Sequence, residues 1–169
     1  ACHYADVEPD IMCLGKALTG GYVSFAATLA TDAVADAISD GNPGLFMHGP
    51  TFMANPLACA AANASLDLIE RYGLLERINA IGKILARELA PLADSDAVAD
   101  VRTLGAIGVV ELKKPVDMGE FQDSLVSRGV WLRPFGRLLY TMPPYIIGDE
   151  DLRTVARAMV ETVRECAEK

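Results

Sequence analysis

Histidine and tryptophan are almost absent from this chain: 169 residues include two of the first and one of the second, and aromatic residues together make up 7%. Two histidines, with four cysteines that form no CxxC pair or zinc-finger spacing, leave no recognisable metal-ligand set. Positive charge is also scarce, with 15 Lys and Arg against 23 Asp and Glu and a formal charge of -8. Such a balance repels a phosphate backbone and argues against nucleic acid as a partner. No apolar run approaches the ~20 residues that span a bilayer. The first residues also lack the basic segment followed by an apolar one that directs export, so neither export nor membrane anchoring is expected. Cys2, Cys13, Cys59 and Cys166 read as reduced packing residues of a cytoplasmic protein. There is no internal repeat and no low-complexity segment. The chain runs from Ala1 straight into Cys2-His3-Tyr4-Ala5 with no initiator Met and no cap or turn signal, and we expect a natural N-terminal portion upstream of it.

What is present is a core-forming composition, 51% hydrophobic and 22% charged. It suits one domain, or the tail of one domain joined to a second small one. Asp10 to Leu14 is short and mostly apolar between Pro9 and Gly15, as expected of a buried strand with Lys16 at its carboxyl end. Tyr22 to Ala30 has strand-like content, and Thr31-Asp32 can cap a short helix through Ile38. Asp40 to Pro50 is loop. Asn55-Pro56 starts a long helix to about Arg71, and Gly73 separates it from a second over Leu74 to Leu89. In that second helix Leu75, Ile78, Ile81, Leu85 and Leu89 repeat at helical spacing. Beyond Pro91, strands are expected at Val98 to Arg102, Ala106 to Leu112, Trp131 to Arg133 and Leu138 to Met142. Helices are expected near Met118 to Arg128 and Glu150 to Ala167. The chain thus divides into residues 1–54, a connecting helix over 55–73, and an α+β module over 74–169.

Three segments can carry chemistry. A lysine without context is a solvated surface residue. Lys16, however, follows a strand and a glycine and precedes Ala17-Leu18-Thr19-Gly20-Gly21, where the backbone can approach a flat ring at the carboxyl end of a sheet. In an apolar pocket, desolvation would favour the neutral amine that attacks an aldehyde. The same lysine, once released, could move a proton between two carbons. The second segment, Met47 to Pro56 (MHGPTFMANP), offers a Gly-Pro loop, the Thr51 hydroxyl and a helix start, a combination suited to an anion or equally to an ordinary capped loop. His48 within it reads as a packed or hydrogen-bonded histidine. Third, Arg133 in Trp131-Leu132-Arg133-Pro134-Phe135-Gly136 could grip a carboxylate with two parallel bonds, or form a surface ion pair. Tyr140 could contact substrate or sit in the core of its strand.

Together PDIMCLGKALTGG around Lys16, FMHGPTFMANPLACAAANASL from Phe46, VADVRTLGAIGVVE from Val98 and GVWLRPFGRLLYTMPPYII from Gly129 resemble the class-III, fold-type-I aminotransferases over essentially the whole chain. The resemblance implies a mixed α/β and α+β architecture: the end of a large pyridoxal-phosphate-binding domain followed by a small C-terminal domain. It implies that Lys16 holds pyridoxal 5'-phosphate as an imine. Thr51, with Pro50 beside it, would bind the cofactor phosphate in the neighbouring subunit's site, which requires a homodimer. Gly49 and Tyr140 would line the substrate pocket, and Arg133 would hold a keto-acid carboxylate. The HGPTF and RPFG wording is similar to the branch serving biotin synthesis, which implies transfer of an amino group from S-adenosylmethionine to the 7-keto group of 8-amino-7-oxononanoate. Another class-III aminotransferase acting on an ω-amine, or a non-catalytic dimerisation fragment, stays open at this point. Met53-Ala54 departs from the family, whose members commonly carry glycine before Asn-Pro. The family's carboxylate for the pyridine nitrogen, its ring-stacking aromatic and its phosphate-binding Gly-Ser turn belong upstream of Ala1, so the isolated chain is expected to be inactive.

Overall fold

The structure, a computed structural model, describes residues 2–167. It divides into two compact units, residues 1–72 and 73–169.

The first unit opens with a one-turn helix α1 (Cys2–Ala5) and strand β1 (Ile11–Leu14). A 3₁₀ turn over Lys16–Thr19 follows, then strand β2 (Ala27–Ala30) and helix α2 (Asp32–Ser39). β1 and β2 pair antiparallel, with Ile11 opposite Ala30 and Leu14 opposite Ala27. The expected strand over Tyr22 to Ala30 is shortened to its last four residues. Gly20 and Gly21 turn the chain with φ of 63° and 86°, and the backbone of Val23 is engaged by Thr19 rather than by a ladder. β1 also differs from expectation in being largely exposed, because among the described residues it has one neighbouring strand and no covering layer. Cys13 is exposed with it and is not a packing residue.

Helix α3 (Pro56–Arg71) begins where the Asn-Pro pair predicts. The Asn55 carboxamide oxygen accepts from the Leu57 and Ala58 amides at 3.0 and 3.1 Å, which satisfies two of the donors a helix start leaves unpaired. Proline at the first position has no donor to satisfy. α3 packs against the 3₁₀ turn that carries Lys16. The helix ends at Tyr72, before Gly73, whose φ of 56° breaks the helical path.

The second unit holds helix α4 (Leu74–Leu89), strands β3 (Val98–Leu104) and β4 (Ile107–Leu112), helix α5 (Met118–Ser127), strand β5 (Leu138–Thr141) and helix α6 (Asp149–Ala167). The strands form one antiparallel sheet in the order β3-β4-β5. Gly108, Val110 and Leu112 of β4 alternate inward, as a half-covered strand requires. α4 packs on β3, β4 and α6, and α5 packs on α6. Ile81, Leu85 and Leu89 join Leu125, Leu139, Leu152, Met159 and Val163 in a fully buried core. Leu75, expected in the same stripe, is exposed at the first turn of α4.

One expected strand is missing. Trp131 to Arg133 forms no ladder; the backbone continues past them to a single bridge between Phe135 and Leu138. Pro134 lacks an amide donor, and Gly136, at φ 58°, turns the chain into β5. A polar cluster staples α5 to α6: the hydroxyls of Ser124 and Thr162 are 3.0 Å apart, and Arg128 reaches Glu161 and Glu165. Burial works against the Arg128 charge, yet its hydrogen bonds with those two carboxylates outweigh it and raise the guanidinium above its usual range.

Candidate active site around Lys16

Lys16 follows β1 by two residues and has φ 53°, a left-handed conformation that non-glycine residues adopt only under local constraint. The constraint is the 3₁₀ turn it opens: the Leu18 amide donates to Gly15 O at 3.2 Å, and the Gly20 amide to Ala17 O at 2.9 Å. The Lys16 side chain is exposed and, among the described residues, has neither a hydrogen bond nor an ion pair. It borders an open cavity of about 370 Å³ lined also by Gly21, Tyr22, Val23, Ser24 and Phe25. The expectation of a lysine enclosed by apolar groups is therefore not met within this unit. A β-carbon on Gly21 would meet no atom within 4 Å, so the backbone there is open to a close approach.

Sequence reasoning placed Lys16 but not the walls of its cavity. Tyr22 to Phe25 read as strand, and only the folded turn shows that they face the lysine's surroundings. The signal that could have found them is Thr19 followed by two glycines, a turn-forming set next to the lysine.

Gly49, Pro50 and Thr51 lie in the same unit, are exposed, and do not line this cavity. Thr51 begins a turn closed by the Met53 amide donating to Pro50 O at 3.0 Å, which delivers the chain to the Asn55 cap of α3. Ala54 stands at φ 51°, a conformation that favours glycine. His48 is exposed, with its ring 5.5 Å from that of Phe46. In the second unit Arg133 is exposed and, among the described residues, has no polar partner. Tyr140 is half-buried in β5 opposite Val109. The larger cavity of that unit, about 790 Å³, lies between Leu112, Lys113, Phe121 and Cys166 and includes neither Arg133 nor Tyr140.

Lys16 thus stands two residues beyond a strand end, on a constrained turn followed by two glycines. The aminotransferase class-III family model matches residues 1–163, and the chain belongs to that family. Among curated relatives, the adenosylmethionine-8-amino-7-oxononanoate aminotransferase of Corynebacterium glutamicum is 52% identical over 94% of this chain and 38% of its own length. The protein of the same name from Mycobacterium leprae is 48% identical over 95% of this chain and 37% of its own. A crystal structure of the enzyme so named from Methanocaldococcus jannaschii superposes with a TM-score of 0.79 at 33% identity, covering 94% of this chain and 39% of that one. An (S)-enantioselective omega-transaminase of Thermomicrobium roseum superposes at 0.83 with 25% identity, over 97% of this chain and 39% of that one. The chain thus spans under two-fifths of the length of the relatives it matches.

The neighbours share the fold-type-I aminotransferase architecture, and the mixed α/β composition of both units agrees with it. No helix among the described residues is long and apolar enough to cross a membrane.

Proposed function

We propose that this chain is the lysine-bearing C-terminal part of a pyridoxal-phosphate-dependent aminotransferase of biotin synthesis. The whole enzyme would transfer the amino group of S-adenosylmethionine to 8-amino-7-oxononanoate, giving 7,8-diaminononanoate. The observation that carries the reading is Lys16: an unpaired primary amine on a constrained turn beside an open cavity. The level of identity with relatives named for that reaction supports this substrate pair over an ω-amine. In this reading residues 1–54 close a large cofactor-binding domain, α3 connects it to the rest, and residues 74–169 form the small domain. The enzyme would work in the cytoplasm.

Lys16 fits a phosphorylated aldehyde cofactor in chemistry and in room, since nothing in its unit neutralises the amine and the adjacent Gly21 backbone is uncovered. Pyridoxal phosphate, when bound, supplies an electron-accepting ring that stabilises negative charge on the adjoining substrate carbon. Lys16 would hold the cofactor covalently through its amine, give it up to the incoming substrate amine, and then carry the proton that leaves one carbon and is delivered to another. Thr51, with Pro50, would hold the cofactor phosphate in the site of a second copy of the chain. The exposed apolar side chains of Phe46, Met47 and Phe52 around it are of the kind an interface covers and support a homodimer. Gly49 and Tyr140 would border the substrate. Arg133, unpaired in its own unit, is available to receive the keto-acid carboxylate through two parallel hydrogen bonds.

The test is to supply the full-length protein and its Lys16→Ala variant with pyridoxal phosphate. Wild type should develop a visible absorption band and restore growth of a biotin-requiring strain lacking this aminotransferase, and the variant should do neither. Normal turnover in Lys16→Ala removes the lysine from its role. A visible band without rescue of growth redirects the reading to an ω-amine substrate.

A further inference from the structure

Thr19 is 1% exposed, the most enclosed polar side chain of the first unit, although it lies between an exposed lysine turn and a glycine pair. Its hydroxyl donates to the carbonyl oxygen of Val23 at 2.6 Å, and the hydroxyl oxygen accepts from the Val23 amide at 3.5 Å. One side chain therefore engages both backbone polar groups of one residue four positions on. The Tyr22 amide donates to Thr19 O at 3.3 Å and the Gly20 amide to Ala17 O at 2.9 Å, so the reversal at Gly20-Gly21 is closed from both sides. α3 backs this turn, and a β-carbon on Gly20 would lie 3.9 Å from Ser65 Oγ.

The consequence is geometric. Lys16 opens the 3₁₀ turn and Thr19 closes it; Val23, which Thr19 pins, is central to the segment that lines the cavity beside Lys16. We propose that Thr19 is a positioning residue that locks the lysine turn to the Tyr22–Phe25 wall and so sets how that wall faces a cofactor held on Lys16. This rests on the reading of Lys16 as the cofactor-bearing lysine. Threonine suits the position because a hydroxyl can donate and accept at once, whereas valine has the same shape and can do neither. Glycines at 20 and 21 give the turn its left-handed geometry, and the Thr19 hydroxyl adds to its backbone hydrogen bonds a tie to the residue beyond it, Val23.

The experiment uses the full-length protein loaded with pyridoxal phosphate, with Thr19→Val, Thr19→Ala and Thr19→Ser compared. Cofactor release on dilution, visible circular dichroism of the bound chromophore, and kcat and KM are measured on each. Thr19→Val and Thr19→Ala should release cofactor about tenfold faster, in line with loss of the hydroxyl's enclosed hydrogen bonds. They should also change the visible dichroism and lower kcat more than they raise KM. Thr19→Ser should retain wild-type behaviour, because the hydroxyl remains. Should Thr19→Val fail to fold, the contrast between Thr19→Ser and Thr19→Ala decides the matter. Release rates and dichroism unchanged in the hydroxyl-free variants would overturn the proposal, as would Thr19→Ser behaving like Thr19→Ala. If wild type itself forms no visible band dependent on Lys16, the reading of the lysine fails first and is recognised by that result.

Discussion

A β-carbon built on Gly82 would collide with the carbonyl oxygen of Gly105, so helix α4 and the turn between β3 and β4 meet backbone to backbone. Replacing glycine by alanine inside a helix ordinarily gains up to about 1 kcal/mol of helix propensity. Here the methyl group collides with backbone, which cannot swing aside as a side chain would, and overpacking of this kind costs about 1–3 kcal/mol. Gly82→Ala should therefore lower the urea midpoint of the full-length protein. A midpoint at or above wild type would mean that α4 and the turn separate at little cost.

Arg77 on α4 donates to the carbonyls of Tyr145 and Ile147 and pairs with Asp149 at 2.7 Å, holding the link between β5 and α6. The side chain is partly exposed, so water takes over part of what is lost on truncation. Arg77→Ala is expected to cost about 1–2 kcal/mol and to speed amide exchange over residues 145–149. Arg77→Lys should recover less than half, since one ammonium cannot serve three acceptors spread around a planar fork. Exchange rates identical to wild type in Arg77→Ala would show that the link holds itself.

Ala54 occupies the left-handed region immediately before the Asn55 cap. That conformation costs a non-glycine residue about 1–2 kcal/mol, whereas glycine is penalised by about 0.5–1 kcal/mol through the greater freedom of its unfolded chain. The first effect is larger, so Ala54→Gly should raise the melting temperature slightly. A lower melting temperature would place the balance on the entropy side.

Arg133 is predicted to act on substrate and not on cofactor. Arg133→Ala in the full-length enzyme should raise KM for 8-amino-7-oxononanoate tenfold or more, as loss of a hydrogen bond to a charged group worth about 1.5–3 kcal/mol implies. The visible spectrum of the bound cofactor should stay as in wild type, and Arg133→Lys should restore only part of the affinity. Wild-type KM in both variants would assign the carboxylate to another residue.

Much of the fold was legible because its signals are local. The Asn55-Pro56 start, the Gly73 break and the four-residue spacing of Ile81, Leu85 and Leu89 each depend on residues within one or two turns of one another, and helices α3 and α4 follow them closely. The family wording around Lys16 likewise lies in one continuous stretch. The lost strand at Trp131 to Arg133 and the shortened β2 failed for one reason. Strand content describes how a segment would pair, but pairing needs a partner at the right register, which composition does not report.

The amino-acid sequence alone determined helices α2 to α6 and the aminotransferase class, since capping, periodicity and a contiguous motif are properties of neighbouring residues. Only the tertiary structure decided that Lys16 sits at φ 53°, that Thr19 reaches Val23, and that Gly82 touches Gly105. Those relationships join atoms whose separation is set by the path of the folded backbone. A hydroxyl and a carbonyl four residues apart become a hydrogen bond only when two left-handed glycines bring the chain back on itself.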